Sequence, residues 1–266
     1  MDVEKFVLNE SDFEGNKLYG DLYLENSKIK FSGKNNIIFI DGQLKLIDST
    51  IEFRGDNSLI FIGETDDIIT LDVKIYNNST LCIGKDVWIN KGIKIVISEE
   101  TNVFFGSDCL ISYDTCIRTG DPHLIYDCAS KKRINKSKSL YVGDHVWIGQ
   151  HVMLLKGAMV GSGTIIGAMS LLSGKKYESN CVYAGNPVRK KKENVFFLKN
   201  DCHRFMEEES NKFSEYNSDE FIYEHKDKGK LLFEEIEDNL NKLKVDERVN
   251  YLKNIFNNID KNRFSI

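Results

Sequence analysis

His123 closes the run "TGDPH", and an imidazole near neutral pH can take the proton from a hydroxyl as its oxygen attacks, worth ~10²–10⁴-fold in rate. It is the leading base of the chain; the alternative is a loop histidine without a role. Asp121 either holds His123 in its working tautomer or is an acidic turn residue ahead of Pro122. Further on, His145 precedes Trp147 by two residues. A third group lies between 174 and 192, where Lys175, Lys176, Arg189, Lys190, Lys191 and Lys192 accompany one acid, Glu178. Six bases less one acid give a local +5 on a chain whose net charge is −5. That cluster is either a cradle for a phosphorylated ligand or a solvated linker.

The elements that must position these groups carry an unusual period. Val142, Ile148, Leu154, Val160, Ile166 and Leu172 are six apart. A Gly follows at 143, 149, 161 and 167, and a compact residue lies four after each aliphatic: Val146, Val152, Ala158, Thr164 and Ser170. One apolar residue in six matches neither a helix nor a flat strand. Six residues make one short strand and a corner, and three such units close an 18-residue triangular coil whose neighbours pair in parallel ~4.7–4.9 Å apart. The aliphatic then points inward, and Gly is expected to take the turn without a Cβ penalty. A β-sandwich would instead require period-2 alternation.

Upstream the period is about twenty-two: "KIKFSGKNNIIFIDG" (28–42) aligns without gaps on "TIEFRGDNSLIFIGE" (50–64). Two further hexad frames, Ile83–Ile89–Ile95 and Phe105–Ile111–Ile117, link the two halves. The register fails after Ile117, so a loop bulges from the coil, beginning at His123 and occupying 124–139. The fold expected is mainly β, a parallel β-helix with about 22-residue coils N-terminally and 18-residue coils later. Irregular coils span 1–82, hexapeptide coils 83–192, and the whole coil domain 1–194. Residues 195–266 change character. Leu232, Ile236 and Leu240, then Val245, Val249, Leu252, Ile255 and Ile259, predict amphipathic helices, with Asp246 as a cap. This is a C-terminal helical appendage.

Composition narrows the class. Hydrophobic content of 41% fits a globular protein, and the negative charge argues against nucleic acid or an anionic membrane as partner. The six cysteines form no C-x-x-C, which predicts free thiols in a reducing, cytoplasmic setting. "MDVEKFVLNESDF" has neither a basic start nor an apolar core, so no signal peptide is expected. No run approaches the ~18–20 apolar residues of a membrane span.

"GDHVWIG", the hexads through "GAMSLLSGK" and the closing "YAGNPVRK" resemble the hexapeptide-repeat (left-handed parallel β-helix) acyltransferases. "TGDPH" followed by an excursion resembles the segment that carries the catalytic histidine in the family's sugar O-acetyltransferases. The match covers about 83–192. The His and Trp pair looks most like bacterial enzymes that decorate capsular or lipopolysaccharide sugars, including the sialic-acid group. The resemblance implies an acetyl-CoA-dependent O-acetyltransferase with a carbohydrate acceptor, working as a homotrimer with each site between two subunits. His123 would be general base, and Trp147 would line the pantetheine groove or stack on the acceptor ring. His145 would be an assistant base, a hydrogen-bond donor or an interface group. Gln150 and Ala168 would contact the pantetheine arm, and Gly174, Lys175, Arg189 and Lys192 the adenosine phosphates. The family commonly has Ser or Thr and Asp near its histidine, so this chain departs on the acceptor-facing side. Two other activities stay open: N-acetyl transfer to a nucleotide-linked amino sugar, and a zinc carbonic-anhydrase-like site using His123, His145 and His151. A scaffold without catalysis is the third alternative.

Overall fold

Short β-branched and aromatic runs separated by tight corners stack into a triangular prism, a left-handed parallel β-helix. The computed structural model describes residues 10–224 and 230–266; residues 1–9, part of the stretch read as no signal peptide, lie outside them. Wall one stacks the successive strands Leu59–Ile62, Thr80–Ile83, Asn102–Phe105, Leu140–Val142, Met159–Val160 and Lys176–Tyr177. Wall two stacks Thr50–Phe53, Leu71–Ile75, Ile93–Ile97, Cys116–Arg118, Met153–Leu155 and Leu171–Leu172. Wall three stacks Trp88–Ile89, Leu110–Ile111, Trp147–Ile148, Ile165–Ile166 and Val182–Ala184. From Thr80 to Leu172 the chain runs wall one, wall three, wall two in each coil. Ile37 lies opposite Leu59 and Lys28 opposite Thr50, the long period of the sequence, whereas Tyr141 lies opposite Met159, the short one.

The hexad aliphatics from Val142 to Leu172 fill the prism at no more than 1% exposure, and so do the compact residues from Val146 to Ser170. Each large apolar side chain withdrawn in this way contributes on the order of 1.5–3 kcal/mol. The glycines have a different cause from the one expected. Gly143 and Gly149 are not in the left-handed region; the residues two further on are, His145 at φ 51° and His151 at φ 57°. A Cβ on Gly143 would meet the Ser162 nitrogen at 2.7 Å, and one on Gly149 the Ala168 nitrogen at 2.7 Å. Glycine is needed here for the close approach of the next coil.

The tail is only partly helical. Residues 195–224 run irregularly over the coil with one short helix, α1 (Glu207–Lys212), before α2 (Phe233–Lys242) and α3 (Val245–Asn257). Ile259 falls outside the helices and is 97% exposed, and Asp246 lies within the first turn of α3. It is the Glu247 carboxylate that accepts the N–H of Lys244, at 2.8 Å. No helix among the described residues is long and apolar enough to cross a membrane.

The tail also answers a question the repeat leaves open, namely what covers the outward side of wall one. Phe39, Phe61, Cys82, Phe104 and Tyr141 point outward there in one column and are nonetheless buried. Phe256 of α3 stacks on Phe61 and Phe104 (ring centroids 5.6 and 5.8 Å), and Phe233 of α2 on Tyr141 (5.3 Å). Arg263 fastens the arrangement: its guanidinium donates to both Asp144 carboxylate oxygens, at 2.8 and 2.9 Å, and to the Ile255 carbonyl at 3.0 Å.

Candidate active site

The wall-two strand Cys116–Arg118 ends at Arg118, and the excursion leaves the prism where wall two turns into wall one. Its foot is tied by the Lys138 N–H donating to the Thr119 carbonyl at 2.9 Å. His123 therefore sits on the excursion itself rather than at a coil corner, and its side chain is exposed. The loop is an ordered small hairpin: Tyr126 pairs with Arg133, and Asp127 accepts from the Ser130 N–H and hydroxyl, both at 2.7 Å. Buried Asn135 is its node. Its carbonyl oxygen accepts from the Ile125 N–H at 2.9 Å, and its amide donates to the His123 carbonyl at 2.7 Å and to Asp121 at 3.2 Å.

Asp121 does not hold the His123 ring. Its carboxylate is taken by the Lys156 ammonium and the Asn135 amide. Those two hydrogen bonds keep the carboxyl below its usual range, with the Lys156 and Arg118 charges adding to them. The aspartate thus fixes the foot of the loop and acts on His123 only through the shared Asn135.

Glu99 is the outer clasp. It receives a two-point contact from Arg133 at 2.6 and 2.9 Å, and both the N–H (3.0 Å) and the hydroxyl (2.5 Å) of Ser137. The Arg133 and Ser137 bonds draw its carboxyl from 4.5 down to about 2. A folded pKa below the unfolded one means that the clasp is complete above about pH 4.5 and fades as pH falls toward 2. Glu99→Gln should therefore speed amide hydrogen exchange across 124–137 at neutral pH. The wild type should show comparable exchange only on acidification, and unchanged exchange in the variant would remove the clasp. Neither Asn135 nor Glu99 stood out in the sequence, since a lone Asn and a lone Glu carry no spacing signal.

His145 is the principal correction. It lies at the corner between walls one and three, 1% exposed, with Nδ1 2.5 Å from Asp108 Oδ2 and Nε2 3.0 Å from the Phe197 carbonyl. Phe197 and Phe221 sandwich its ring at 4.1 and 4.2 Å. Lys199 also reaches Asp108, at 2.5 Å. Burial pushes the Asp108 carboxyl up, and the His145 and Lys199 hydrogen bonds outweigh it, so its pKa is lowered. The imidazole leaves the coil as expected, but the tail covers it. It can be neither an assistant base nor a donor to substrate, and it cannot serve as a zinc ligand while both nitrogens are committed. His151 stays at the surface, 3.6 Å from Asp114. Among the described residues no three His, Cys, Asp or Glu side chains converge as metal ligands, and all six cysteines are unpaired.

Trp147 is 41% exposed on wall three, its indole 5.7 Å from the Phe197 ring. In a three-sided prism, wall three faces away from the corner between walls two and one. His123 and Trp147 of one chain are therefore held apart by the body of the coil. The other candidates divide similarly. Gln150 and Ala168 share the corner between walls three and two, where the Met169 N–H donates to the Gln150 carbonyl at 2.9 Å. Gly174 and Lys175 lie on the ridge of the His123 loop, two coils on, with the Gly174 N–H donating to the Lys156 carbonyl at 3.0 Å. Arg189 and Lys192 lie on a final strand, Arg189–Lys192, paired antiparallel to Val182–Ala184. The basic cluster is also less bare than its sequence. Lys176 pairs with Glu234 at 2.7 Å, and Lys190 with Glu178 at 2.6 Å and Glu193 at 3.3 Å. Lys175, Arg189, Lys191 and Lys192 form no ion pair among the described residues.

Two clefts lined by described residues lie elsewhere. One of about 520 Å³ separates the corner asparagines Asn35, Asn57 and Asn78 from the α2–α3 turn, and one of about 320 Å³ adjoins His145. Neither is lined by His123. Around that residue the loop instead exposes Leu124 (59%), Ile125 (48%), Tyr126 (53%) and Ile134 (65%).

Comparison with solved structures places this geometry. The crystal structure of the polySia specific acetyltransferase NeuO matches with a TM-score of 0.66 at 34% identity, over 75% of this chain and 93% of that one. The chain belongs to the hexapeptide-repeat acyltransferase family. Within that family the polysialic acid O-acetyltransferase OatWY aligns with a TM-score of 0.59 at 27% identity, over 72% of this chain and 97% of the other. Among curated proteins, the polysialic acid O-acetyltransferase of Escherichia coli O1:K1 / APEC is 38% identical over 130 residues, 49% of this chain and 42% of the relative. That of Neisseria meningitidis is 30% identical over 114 residues, 43% of this chain and 53% of the relative. The chain spans about half the length of the curated relatives it matches. No family model matches it.

Proposed function

We propose that this acyltransferase moves an acetyl group from acetyl-CoA to a hydroxyl of an acidic bacterial capsule glycan, with His123 as general base. The observation that carries the reading is the prism shared with relatives that act on polysialic acid, together with a histidine held on an ordered loop where the coil breaks. The acceptor oxygen attacks the thioester carbonyl while His123 Nε2 or Nδ1 takes its proton. Collapse breaks the C–S bond, the thiolate takes the proton back from the imidazolium, and an O-acetyl ester and a free thiol leave.

The coenzyme would place its phosphates against Lys175, Arg189 and Lys192, with its thioester end at His123. Trp147, Arg189 and Lys192 belong to wall three, and Gln150 and Ala168 to the corner between walls three and two, all away from the ridge of His123 and Lys175, so one coenzyme could meet all of them only between two chains. The exposed apolar loop tip supports the same point, since Leu124, Ile125, Tyr126 and Ile134 require a cover. A homotrimer with three shared sites satisfies both, each loop reaching the Trp147 wall of a neighbour. The six free thiols fit a cytoplasmic enzyme.

The test is thiol release from acetyl-CoA against polysialic acid, neutral capsule glycans and nucleotide-linked amino sugars. Turnover should require an acidic sugar polymer. Release with the amino sugars alone would replace O-transfer by N-transfer.

A further inference from the structure

Arg118 stands out once every arginine is followed to its partners. Arg54, Arg133, Arg248 and Arg263 donate to oxygens of the chain, while Arg189 and Arg204 are exposed to water. Arg118 is half-buried, its Nε is fully buried without a hydrogen bond, and the guanidinium forms no ion pair among the described residues. Ile117 points into the prism, so Arg118 points out of wall two, between Val96 and Leu155 in register on either side. A guanidinium keeps its charge at any physiological pH and carries five donors. Leaving it between aliphatic neighbours without an acceptor is unfavourable. Among the described residues its buried Nε finds no acceptor, which leaves a place for one supplied from outside the chain.

Its place says which acceptor. Arg118 is the last residue of its strand, at the corner where the His123 loop begins, and its charge reaches Asp121 at the foot of that loop. Lys175 lies two coils away along the same ridge, ~10 Å at the usual strand spacing, so the phosphate end of the coenzyme is served elsewhere. Asp121 and Glu99, the neighbouring carboxylates, are already engaged by Lys156 and Arg133. Planar two-point contact is the geometry in which a guanidinium exceeds an ammonium in holding a carboxylate. We infer that Arg118 anchors a carboxylate of the acceptor sugar, which turns a hydroxyl of that sugar or its neighbour toward His123. The inference rests on the acidic-glycan reading above and names the residue that enforces it.

Thiol release should be compared for wild type, Arg118→Gln and Arg118→Lys on polysialic acid and on the same polymer with its carboxyls reduced to alcohols. Losing a charged hydrogen-bonded contact should raise the KM of Arg118→Gln for the acidic polymer about ten- to hundredfold. Arg118→Lys should fall between, the KM for acetyl-CoA should not move, and wild type and Arg118→Gln should converge on the reduced polymer. Equal losses on both polymers, a changed KM for acetyl-CoA, or a changed mass by light scattering would each overturn the carboxylate contact. Wild-type melting temperatures in both variants exclude misfolding as the cause. A wild type that releases thiol with neither polymer overturns the functional reading, and the Arg118 contact falls with it. A wild type active on the acidic polymer and matched there by Arg118→Gln overturns the contact alone.

Discussion

His123→Ala should lower kcat by about 10²–10⁴-fold while coenzyme A still binds, because general-base assistance is lost and no binding group is removed. Both kcat and kcat/KM should fall together, as expected for an interaction made in the transition state. Neither of the other two coil histidines is placed to substitute, since His145 is sealed beneath Phe197 and Phe221 and His151 lies on a different corner beside Asp114. Steady-state thiol release with equilibrium binding of coenzyme A reads the two effects separately. Near-wild-type turnover would withdraw the base assignment. Asn135 gives a graded companion: it holds the His123 carbonyl and Asp121 at once, so its influence is on where the imidazole is held.

The second large effect is on stability. Asp144→Ala should destabilise the protein by about 3–5 kcal/mol, because the Arg263 guanidinium would be left buried without its carboxylate. For a chain of this size that corresponds to a fall in Tm on the order of 10 °C. The side chains are 11% and 7% exposed, so solvent cannot rescue the orphaned charge. Replacing both, Asp144→Leu with Arg263→Met, should recover much of the loss, since an apolar pair of similar volume avoids the desolvation that the ion pair carries. Thermal unfolding of the two variants decides it. A single variant as stable as the wild type would mean that the tail is held by its aromatic contacts alone.

Much of the prism was legible in the sequence because its cause is local and repeated. One inward aliphatic per six residues leaves a trace at every coil, and the residues from Val142 to Leu172 are buried as the pattern requires. The break after Ile117 was legible for the same reason. What could not be read depends on chain segments far apart in sequence. His145 lies outside the coil as its register demands, yet its fate is decided by Phe197 and Phe221, on a stretch with no period at all. The excess charge of 174–192 looked larger than it is because Glu234, which neutralises Lys176, belongs to α2. One further signal of the cover lies in the sequence itself. Phe39, Phe61 and Phe104 occupy the outward position between two inward apolar residues, and Tyr141 continues the column. Four aromatics at solvent-facing positions of one wall indicate a cover from elsewhere.

Each end of the stack carries a reversal of direction. Glu10–Phe13 folds back antiparallel on the strand beginning at Asn16, and Arg189–Lys192 does the same on Val182–Ala184. A parallel ladder with bare rims would be a template for head-to-tail polymerisation, since every added coil repeats the same unsatisfied amides. Here wall one is closed by a turned-back strand at one end of the stack, and wall three at the other by a strand dense in lysine and arginine, so axial pairing along those walls is discouraged. On those two walls the register of the coils stops at the turned-back strand, which disfavours end-to-end pairing of copies there.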